Sequence, residues 1–168
     1  MILETDRLRL REMTANDAGF MLKLLNEPSF IQNIGDRGVR TLEDARSYIS
    51  SRIAVGYKEH GFGLWLVEEN ESGVAIGSCG LLKRDWLDDV DLGYALLPEY
   101  WSKGYAAEAA SGAIEYAREA LCLARVVAIT DPENQSSVRL LERIGFSYER
   151  MVKPPEGGPE LKLFSRAL

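Results

Sequence analysis

The stretch Leu92–Ala109, which reads LGYALLPEYWSKGYAAEA, decides the fold of this chain. It begins with an apolar run typical of a buried strand and ends in the alanines that open a long helix. Between the two lies a turn with one glycine, Trp101–Ala106. A strand, a glycine turn and a helix in immediate succession form an anion site, because the N–H groups at the helix start point outwards and the macrodipole favours negative charge there.

The residues within this turn suit a phosphate. Gly104 lets the backbone approach an anion without a Cβ in the way, and Lys103 adds a cation at the rim. The same residues are also typical of an ordinary helix entry, so the turn alone leaves both interpretations open. The sequence has neither the G-x-x-x-x-G-K-[ST] of a P-loop nor a G-x-G-x-x-G after its first strand, which excludes the other common phosphate motifs.

Hydrophobic patterning outside this stretch predicts the remaining elements. Strands are predicted at Arg7–Met13, Phe62–Glu69, Ala75–Arg84, Val90–Leu97, Val126–Thr130, Phe146–Met151 and Leu161–Leu168, and helices at Ala18–Asn26, Thr41–Glu59, Ala106–Leu121 and Asn134–Ile144. The segment Pro28–Gly38 is predicted to be a loop from its asparagine, aspartate and glycine content. This order implies an α/β (α+β) fold, in which a mixed, mostly antiparallel sheet of about seven strands has helices on both faces.

The composition limits the classes of partner. The 168 residues are expected to form one domain, 1–168, and their formal net charge of −6 argues against nucleic acid, which needs a basic surface. There is no apolar run long enough for a membrane span and no signal-peptide pattern, so a soluble cytoplasmic protein is expected. Cys79, Cys122 and the single histidine, His60, offer neither a disulfide framework nor a metal site.

Three segments together resemble the GNAT superfamily of N-acetyltransferases. Leu92–Ala109 is similar to its acetyl-CoA motif, and Asp131–Phe146 (DPENQSSVRLLERIGF) follows at the family's spacing. Leu3–Arg11 (LETDRLRLR) resembles the branch that acetylates the N-terminal alanine or serine of ribosomal proteins. The resemblance implies acetyl-CoA as donor and an amine as acceptor, either a protein N-terminus or a small molecule, in a monomer or homodimer.

The resemblance also implies which residues contact acetyl-CoA. In the family's R/Q-x-x-G-x-G/A turn, Gly104 takes the glycine and Ala106 the permitted alanine, whereas Trp101 stands where the family has arginine or glutamine. A side-chain donor is therefore lost, and backbone N–H groups are expected to hold the pyrophosphate. The implied contacts are Leu96, Leu97, Trp101, Ser102, Lys103, Gly104, Tyr105, Ala106, Asn134 and Ser137.

The family's chemistry is direct attack of the amine on the thioester, which needs an oxyanion donor and a general base. A free backbone N–H of Leu96 or Leu97 is the implied oxyanion donor, so Leu97 is assigned a catalytic role. Asp91, where relatives often have glutamate, is the candidate base; the alternative is a solvated charge beside a turn. Leu141 occupies the position where many relatives have a tyrosine that protonates the leaving thiolate, so the general acid is absent or moved.

The acceptor is expected opposite the CoA, between the loop Pro28–Gly38 and the turns around Trp86 and Lys153–Pro159. Asn33, Asp36 and Trp86 are the candidate contacts. Two alternatives to acetylation of a protein N-terminus stay open. One is acetylation of a small-molecule amine, such as a polyamine, an aminoglycoside or an amino acid; the other is a non-catalytic module that binds acyl-CoA.

Overall fold

The computed structural model describes residues 1–168, which form one eight-stranded sheet with helices packed against both faces. The strands are β1 (Leu3–Glu4), β2 (Leu8–Arg11), β3 (Leu64–Glu69), β4 (Ala75–Leu82), β5 (Asp91–Leu96), β6 (Arg125–Thr130), β7 (Ser147–Val152) and β8 (Leu161–Ala167). The helices are α1 (Ala18–Leu25), α2 (Pro28–Asn33), α3 (Leu42–Tyr48), α4 (Ala54–His60), α5 (Tyr105–Glu119) and α6 (Gln135–Arg143).

Local sequence explains where several helices begin and end. Thr14 and Asp17 form a capping box that starts the 3₁₀ turn leading into α1, and Thr41 and Asp44 form another at the start of α3. Each box satisfies two backbone N–H groups that a helix start leaves free. Helix α4 ends at Gly61, whose φ of 78° lies in the left-handed region that favours glycine.

Helix α5 covers one face of the sheet and has a buried side made of small residues. Ala109, Ala110, Ala113 and Ala117 are all fully buried, so the helix axis approaches the strands closely. This side packs with Trp65 in the larger core, and Trp65 has no exposed surface. Helices α1 and α3 pack against the opposite face and form the second core. The sheet is therefore buried between two layers.

The strand order is β1-β2-β3-β4-β5-β6-β8-β7, and every neighbouring pair is antiparallel except β5 and β6. These two parallel strands share a single register pair, Asp91 with Val127. Strand β6 instead pairs along its length with β8. Strands β5 and β6 therefore diverge toward their carboxyl ends, and the gap between Leu92–Leu96 and Ala128–Thr130 is called the wedge below.

The predicted fold is confirmed, with three differences in detail. The short strand β1 brings the total to eight. Helix α2 lies inside the segment predicted to be a loop: Pro28 stands at the first helical position, where its fixed φ is favourable, and Phe30 packs on the second core. The predicted helix Thr41–Glu59 is interrupted by a π-helical segment, Ile49–Ile53, between α3 and α4.

Candidate active site

The backbone of β5 presents hydrogen-bonding groups to the wedge. The N–H of Leu97 donates to the carbonyl of Ile76 at 2.9 Å, on the side of β4. Successive residues of an antiparallel strand turn their N–H groups to opposite sides. The N–H groups of Leu96 and Tyr94 therefore face the wedge. The prediction of a free N–H at Leu97 is wrong, because β4 already uses it, and the free donors of this strand belong to Leu96 and Tyr94.

The turn at the mouth of the wedge is a cluster of free backbone donors. Ser102 and Gly104 both have left-handed backbone, with φ of 60° and 82°. None of the N–H groups of Ser102, Lys103, Gly104, Tyr105, Ala106 and Ala107 donates to a protein acceptor; the first that does is that of Glu108, to the carbonyl of Gly104. A regular helix start leaves four such groups, so this turn adds two more. Donors concentrated in this way favour an anion.

Side chains of the same turn are directed to neighbouring protein groups. Trp101 is 47% exposed, and its indole N–H donates to the carbonyl of Leu96 at 2.9 Å. The Tyr105 hydroxyl donates to Glu69 at 2.6 Å, and the Lys103 ammonium lies 5.6 Å from the centre of the Tyr100 ring. The structure thus brings the predicted residues Trp101–Ala106 together, with the backbone as their free binding surface.

Helix α6 places its first turn across the wedge from β5. The Asn134 side chain accepts a hydrogen bond from the N–H of Ser137 at 3.2 Å and so caps the helix. The Ser137 hydroxyl is hydrogen-bonded to the Tyr94 hydroxyl at 2.7 Å. Burial raises the pKa of Tyr94 to about 12. This pair links the two walls, whereas Leu141, on the same helix, is 1% exposed and belongs to the core.

Asp91 lies at the closed end of the wedge and is 1% exposed. Its Oδ2 accepts from Arg84 Nε at 2.7 Å, while its buried Oδ1 has no hydrogen-bond partner. Burial raises the pKa of Asp91 to about 6, against the opposing effects of Arg84 and of the backbone N–H of Ile129, which lies near the carboxylate without completing a hydrogen bond to Oδ1. The predicted alternative, a solvated surface charge, is therefore wrong. A carboxyl with such a pKa and one free oxygen can accept a proton near neutral pH.

Asp91 and the free donors of β5 are separated along the strand. Side chains alternate between the two faces, so Asp91 shares with Ala95 the face covered by α1 and α3, opposite α5. Tyr94 lies three positions after Asp91 along the strand, which is ~10 Å at the usual strand rise of ~3.3 Å per residue. A proton moving from the region of Tyr94 to Asp91 therefore needs at least one intervening water.

Comparison with known proteins identifies the family of this fold. The family model of the acetyltransferase (GNAT) domain matches residues 7–147. The chain belongs to the GNAT acetyltransferase family. It is 31% identical over 155 residues to the N-acetyltransferase YoaA of Bacillus subtilis, an alignment that covers 90% of this chain and 86% of YoaA. The protein is accordingly an acyltransferase enzyme.

Solved GNAT structures share the whole architecture. RimL, a ribosomal L7/L12 alpha-N-protein acetyltransferase in complex with coenzyme A, matches with a TM-score of 0.85 and 16% identity, over 99% of this chain and 97% of RimL. A chimera of the spermidine N-acetyltransferase SpeG from Vibrio cholerae and hSSAT matches with a TM-score of 0.76 and 19% identity, over 95% of each chain. These likenesses establish the fold.

No helix of the GNAT chain combines the length and apolar character that crossing a membrane requires.

The predicted acceptor contacts lie on separate elements of the GNAT fold. Asn33 is the last residue of α2. Asp36 pairs with Arg40 at 2.5 Å and accepts from the Gly38 N–H at 2.9 Å, so it stabilises its own loop. The hydrogen bond from Arg40 is the main cause that lowers the pKa of Asp36. Trp86 packs on the apolar cluster of Leu87, Val127 and Leu163, next to the register pair that contains Asp91.

Sequence reasoning missed two residues that structure the GNAT site. Arg84 donates a hydrogen bond to Asp91, and Arg7 contacts both Glu108 and the turn Trp101–Ala106, which is called the phosphate turn below. The contact of Arg84 with Asp91 could have been found from the sequence of the hairpin between β4 and β5. Antiparallel pairing of Leu82 with Asp91 brings Arg84, two residues later, close to Asp91. The approach of Arg7 to the turn depends on a contact between residues about 100 positions apart, for which the sequence holds no local signal.

Proposed function

We propose that this GNAT enzyme transfers the acetyl group of acetyl-CoA to a primary amine, foremost the N-terminal amine of a protein. The observation that carries the proposal is the run of free backbone N–H groups from Ser102 to Ala107 at the mouth of the wedge. A pyrophosphate presents several acceptor oxygens with negative charge, which match these donors and the positive end of α5. With Trp101 in place of a basic residue, the backbone supplies this binding.

The edge of β5 supplies the next part of the donor site. The N–H groups of Tyr94 and Leu96 face the wedge, so an extended chain with amide groups, such as pantetheine, can pair with them as an added strand. The thioester then lies near the N–H of Tyr94, which would stabilise the oxyanion as the amine attacks. This assignment replaces Leu97, whose N–H is bonded to Ile76.

The reaction forms a C–N bond and breaks the C–S bond of the thioester. The ammonium group first loses one proton through water to the free Oδ1 of Asp91, the neutral nitrogen attacks the carbonyl carbon, and the nitrogen releases its second proton to water as the tetrahedral intermediate collapses with departure of the CoA thiolate. A thiol has an ordinary pKa near 8.5, so the thiolate is a competent leaving group without an acid at Leu141. The thiolate then takes a proton from solvent.

The acceptor enters on the face of the sheet that carries Asp91. Val127, the register partner of Asp91, also lines a cavity of about 150 Å³ on that face. The other lining residues are Leu87, Leu163 and the charged Asp88, Asp89, Arg125, Glu149 and Arg150. The formal net charge of −6 favours an approaching ammonium group through the long-range field. An N-terminal amine is favoured by the segment Leu3–Arg11, whose likeness is to enzymes that act on protein N-termini.

A panel of amines tests this function through the release of CoA, measured with a thiol reagent. Peptides that begin with alanine or serine are expected to be acetylated, and the same peptides with blocked N-termini are the matched controls. Turnover confined to spermidine or another small amine would replace the acceptor assignment. Tight binding of acetyl-CoA without turnover of any amine would instead support a non-catalytic module.

A pair of glycine variants tests the donor site separately. Gly104→Val is expected to abolish CoA binding in calorimetry, because a β-branched residue is strained at φ 82° and its Cβ would lie 3.2 Å from Arg7. Gly73→Val is the matched control, since Gly73 has φ 70° but no atom within 4 Å of a Cβ. Normal CoA binding by the Gly104 variant would refute the phosphate-turn assignment.

A further inference from the structure

Arg7 lies in the turn between β1 and β2, and hydrogen bonds of its backbone hold it in place. Its N–H donates to Glu108 Oε1 at 2.8 Å, and its carbonyl accepts from the N–H of Asn70 at 2.9 Å. The neighbouring Thr5 hydroxyl donates to the same Glu108 oxygen at 2.6 Å. The first hairpin is therefore attached to the first turn of α5, and the Arg7 side chain starts from a fixed point.

The Arg7 guanidinium reaches the phosphate turn from this point. Nε donates to Glu108 Oε2 at 2.7 Å, and Nη1 donates to the carbonyl of Lys103 at 2.9 Å. The guanidinium carbon lies 4.5 Å from the centre of the Tyr105 ring. The side chain is 47% exposed, so the ion pair by itself adds little to global stability. Its contacts instead fix the geometry of one peptide group.

That peptide group joins Lys103 to Gly104. In a planar trans peptide the C=O and the N–H point in opposite directions. Because Arg7 holds the Lys103 carbonyl on one side, the Gly104 N–H is directed to the other side, among the free donors of the turn. A Cβ on Gly104 would lie 3.2 Å from Arg7 Nη2, which shows how closely the turn rests on the guanidinium.

Arg7 also neutralises a charge that would oppose an anion. Glu108 lies in the first turn of α5, near the donors of the phosphate turn. Burial acts to raise the pKa of Glu108, but the hydrogen bonds from Thr5 and Arg7 outweigh it and lower the pKa, so the carboxylate stays charged. Its oxygens are directed at Thr5 and Arg7 rather than at a bound phosphate.

We propose that Arg7 is a positioning residue for the phosphate turn: together with Glu108 it holds the Lys103–Gly104 peptide in the orientation that binds the pyrophosphate of the donor. The proposal rests on the proposed use of acetyl-CoA. It explains how the turn works with Trp101 in the place of a basic residue. Arg7 and Glu108 support the turn from the side opposite the anion, and the backbone N–H groups make the contact with the anion.

Kinetic constants measured with two acetyl donors that share the same thioester distinguish this positioning role from a general structural role. Acetyl-CoA carries the pyrophosphate, and S-acetylpantetheine lacks it. For Arg7→Met we expect the KM for acetyl-CoA to rise roughly tenfold with kcat unchanged, the loss typical of one well-placed charged hydrogen bond. The kcat/KM for S-acetylpantetheine is expected to stay at the wild-type value. Arg7→Lys should recover only part of the effect, because one ammonium cannot hold both Glu108 and the Lys103 carbonyl.

Arg118→Met is the matched control, because Arg118 lies on the same helix α5 and pairs with Glu115 and Glu119 at its other end. It should leave the constants for both donors unchanged. Equal losses with both donors in the Arg7 variant, an unchanged KM for acetyl-CoA, or full rescue by lysine would each overturn the proposal.

A second variant keeps the test valid if Arg7→Met does not fold. Glu108→Gln retains the shape of the side chain but removes its charge. We expect a smaller rise in the KM for acetyl-CoA than in the Arg7 variant, and no change with S-acetylpantetheine. Losses with both donors here would also overturn the proposal. A wild-type protein that turns over no amine with acetyl-CoA would refute the proposed function, whereas normal wild-type turnover with an unaffected Arg7 variant would refute this inference only.

Discussion

Replacement of Asp91 by asparagine should make the enzyme slower and the fold more stable. Asp91 is 1% exposed, its Oδ1 has no partner, and burial raises its pKa from 3.8 to about 6. Near neutral pH the folded protein therefore holds a carboxylate in an environment that disfavours its charge. Asparagine has nearly the same shape but no charge, so Asp91→Asn removes the proton acceptor together with this cost.

The size of the stability effect follows from the pKa of Asp91. The difference between 3.8 and about 6, at ~1.4 kcal/mol per factor of ten, gives a cost of about 3 kcal/mol at pH 7. The folded state binds the proton more tightly than the unfolded state. The contribution of Asp91 to stability is therefore most favourable below pH 3.8, falls as the pH rises toward about 6, and is constant above that.

Chemical denaturation of the wild type and Asp91→Asn at several pH values measures this effect. The free energy of unfolding of the variant minus that of the wild type should increase by roughly 2–3 kcal/mol between pH 4 and pH 7. In parallel, kcat/KM should fall by roughly 10² or more, the usual contribution of a general base. A stability difference that does not vary with pH would refute the buried charge, and full activity would refute the base.

Asp17→Asn is the matched control, because the contribution of Asp17 to stability depends on pH in the opposite direction. Burial acts to raise the pKa of Asp17, but the hydrogen bonds from Arg11 and Thr14 outweigh it and lower the pKa. The contribution of Asp17 to stability is therefore present above its unfolded pKa and is lost as the pH falls. The control variant should lose stability near neutral pH, the opposite of Asp91→Asn.

Three further predictions concern single side chains of the candidate site and of the core beside it. Arg84→Met removes the cation that lowers the pKa of Asp91, so the acidic limb of the profile of kcat/KM against pH should move to higher pH; an unchanged profile would disprove the coupling. Trp101→Phe removes the indole bond to the Leu96 carbonyl, and the variant should lose any change in tryptophan fluorescence that CoA produces in the wild type. Leu141→Ala should lower the free energy of unfolding by roughly 2–5 kcal/mol, as expected of a core position, while kcat measured well below the melting temperature stays unchanged.

The parts of the fold that the sequence predicts are those with local causes. The strand β5, the turn with Gly104 and the helix α5 follow from an apolar run, a glycine and a run of alanines, all within a short stretch. The capping box of Thr41 and Asp44 is equally local and marks the start of α3. The sequence does not predict helix α2, because asparagine, aspartate and glycine dominate the residues that follow it. The composition of the whole segment Pro28–Gly38 is therefore typical of a loop.

The details of the site depend on distant contacts, which sequence patterns do not contain. Whether Leu97 or Leu96 offers a free N–H is decided by the register of β5 against β4, since a shift of one residue exchanges the two. The pKa of Asp91 is decided by how deeply the hairpin and β6 bury it. Arg7 reaches Lys103 only after the first hairpin has packed against α5.

The departure from the family pattern at Trp101 has a physical explanation. In the proposed donor site, binding relies on backbone groups: the free N–H groups of Ser102–Ala107 and those of β5 that face the wedge. Backbone donors are supplied by almost any sequence that adopts the conformation, so a side chain such as that of Trp101 can change without loss of the anion site. The requirement then passes to whatever holds the backbone in place, which here is the left-handed geometry of Gly104 and the contact of Arg7 with the Lys103 carbonyl. For selection of the acceptor the structure offers no such backbone groups, and we propose that it depends on the side chains around Asp91 and Trp86.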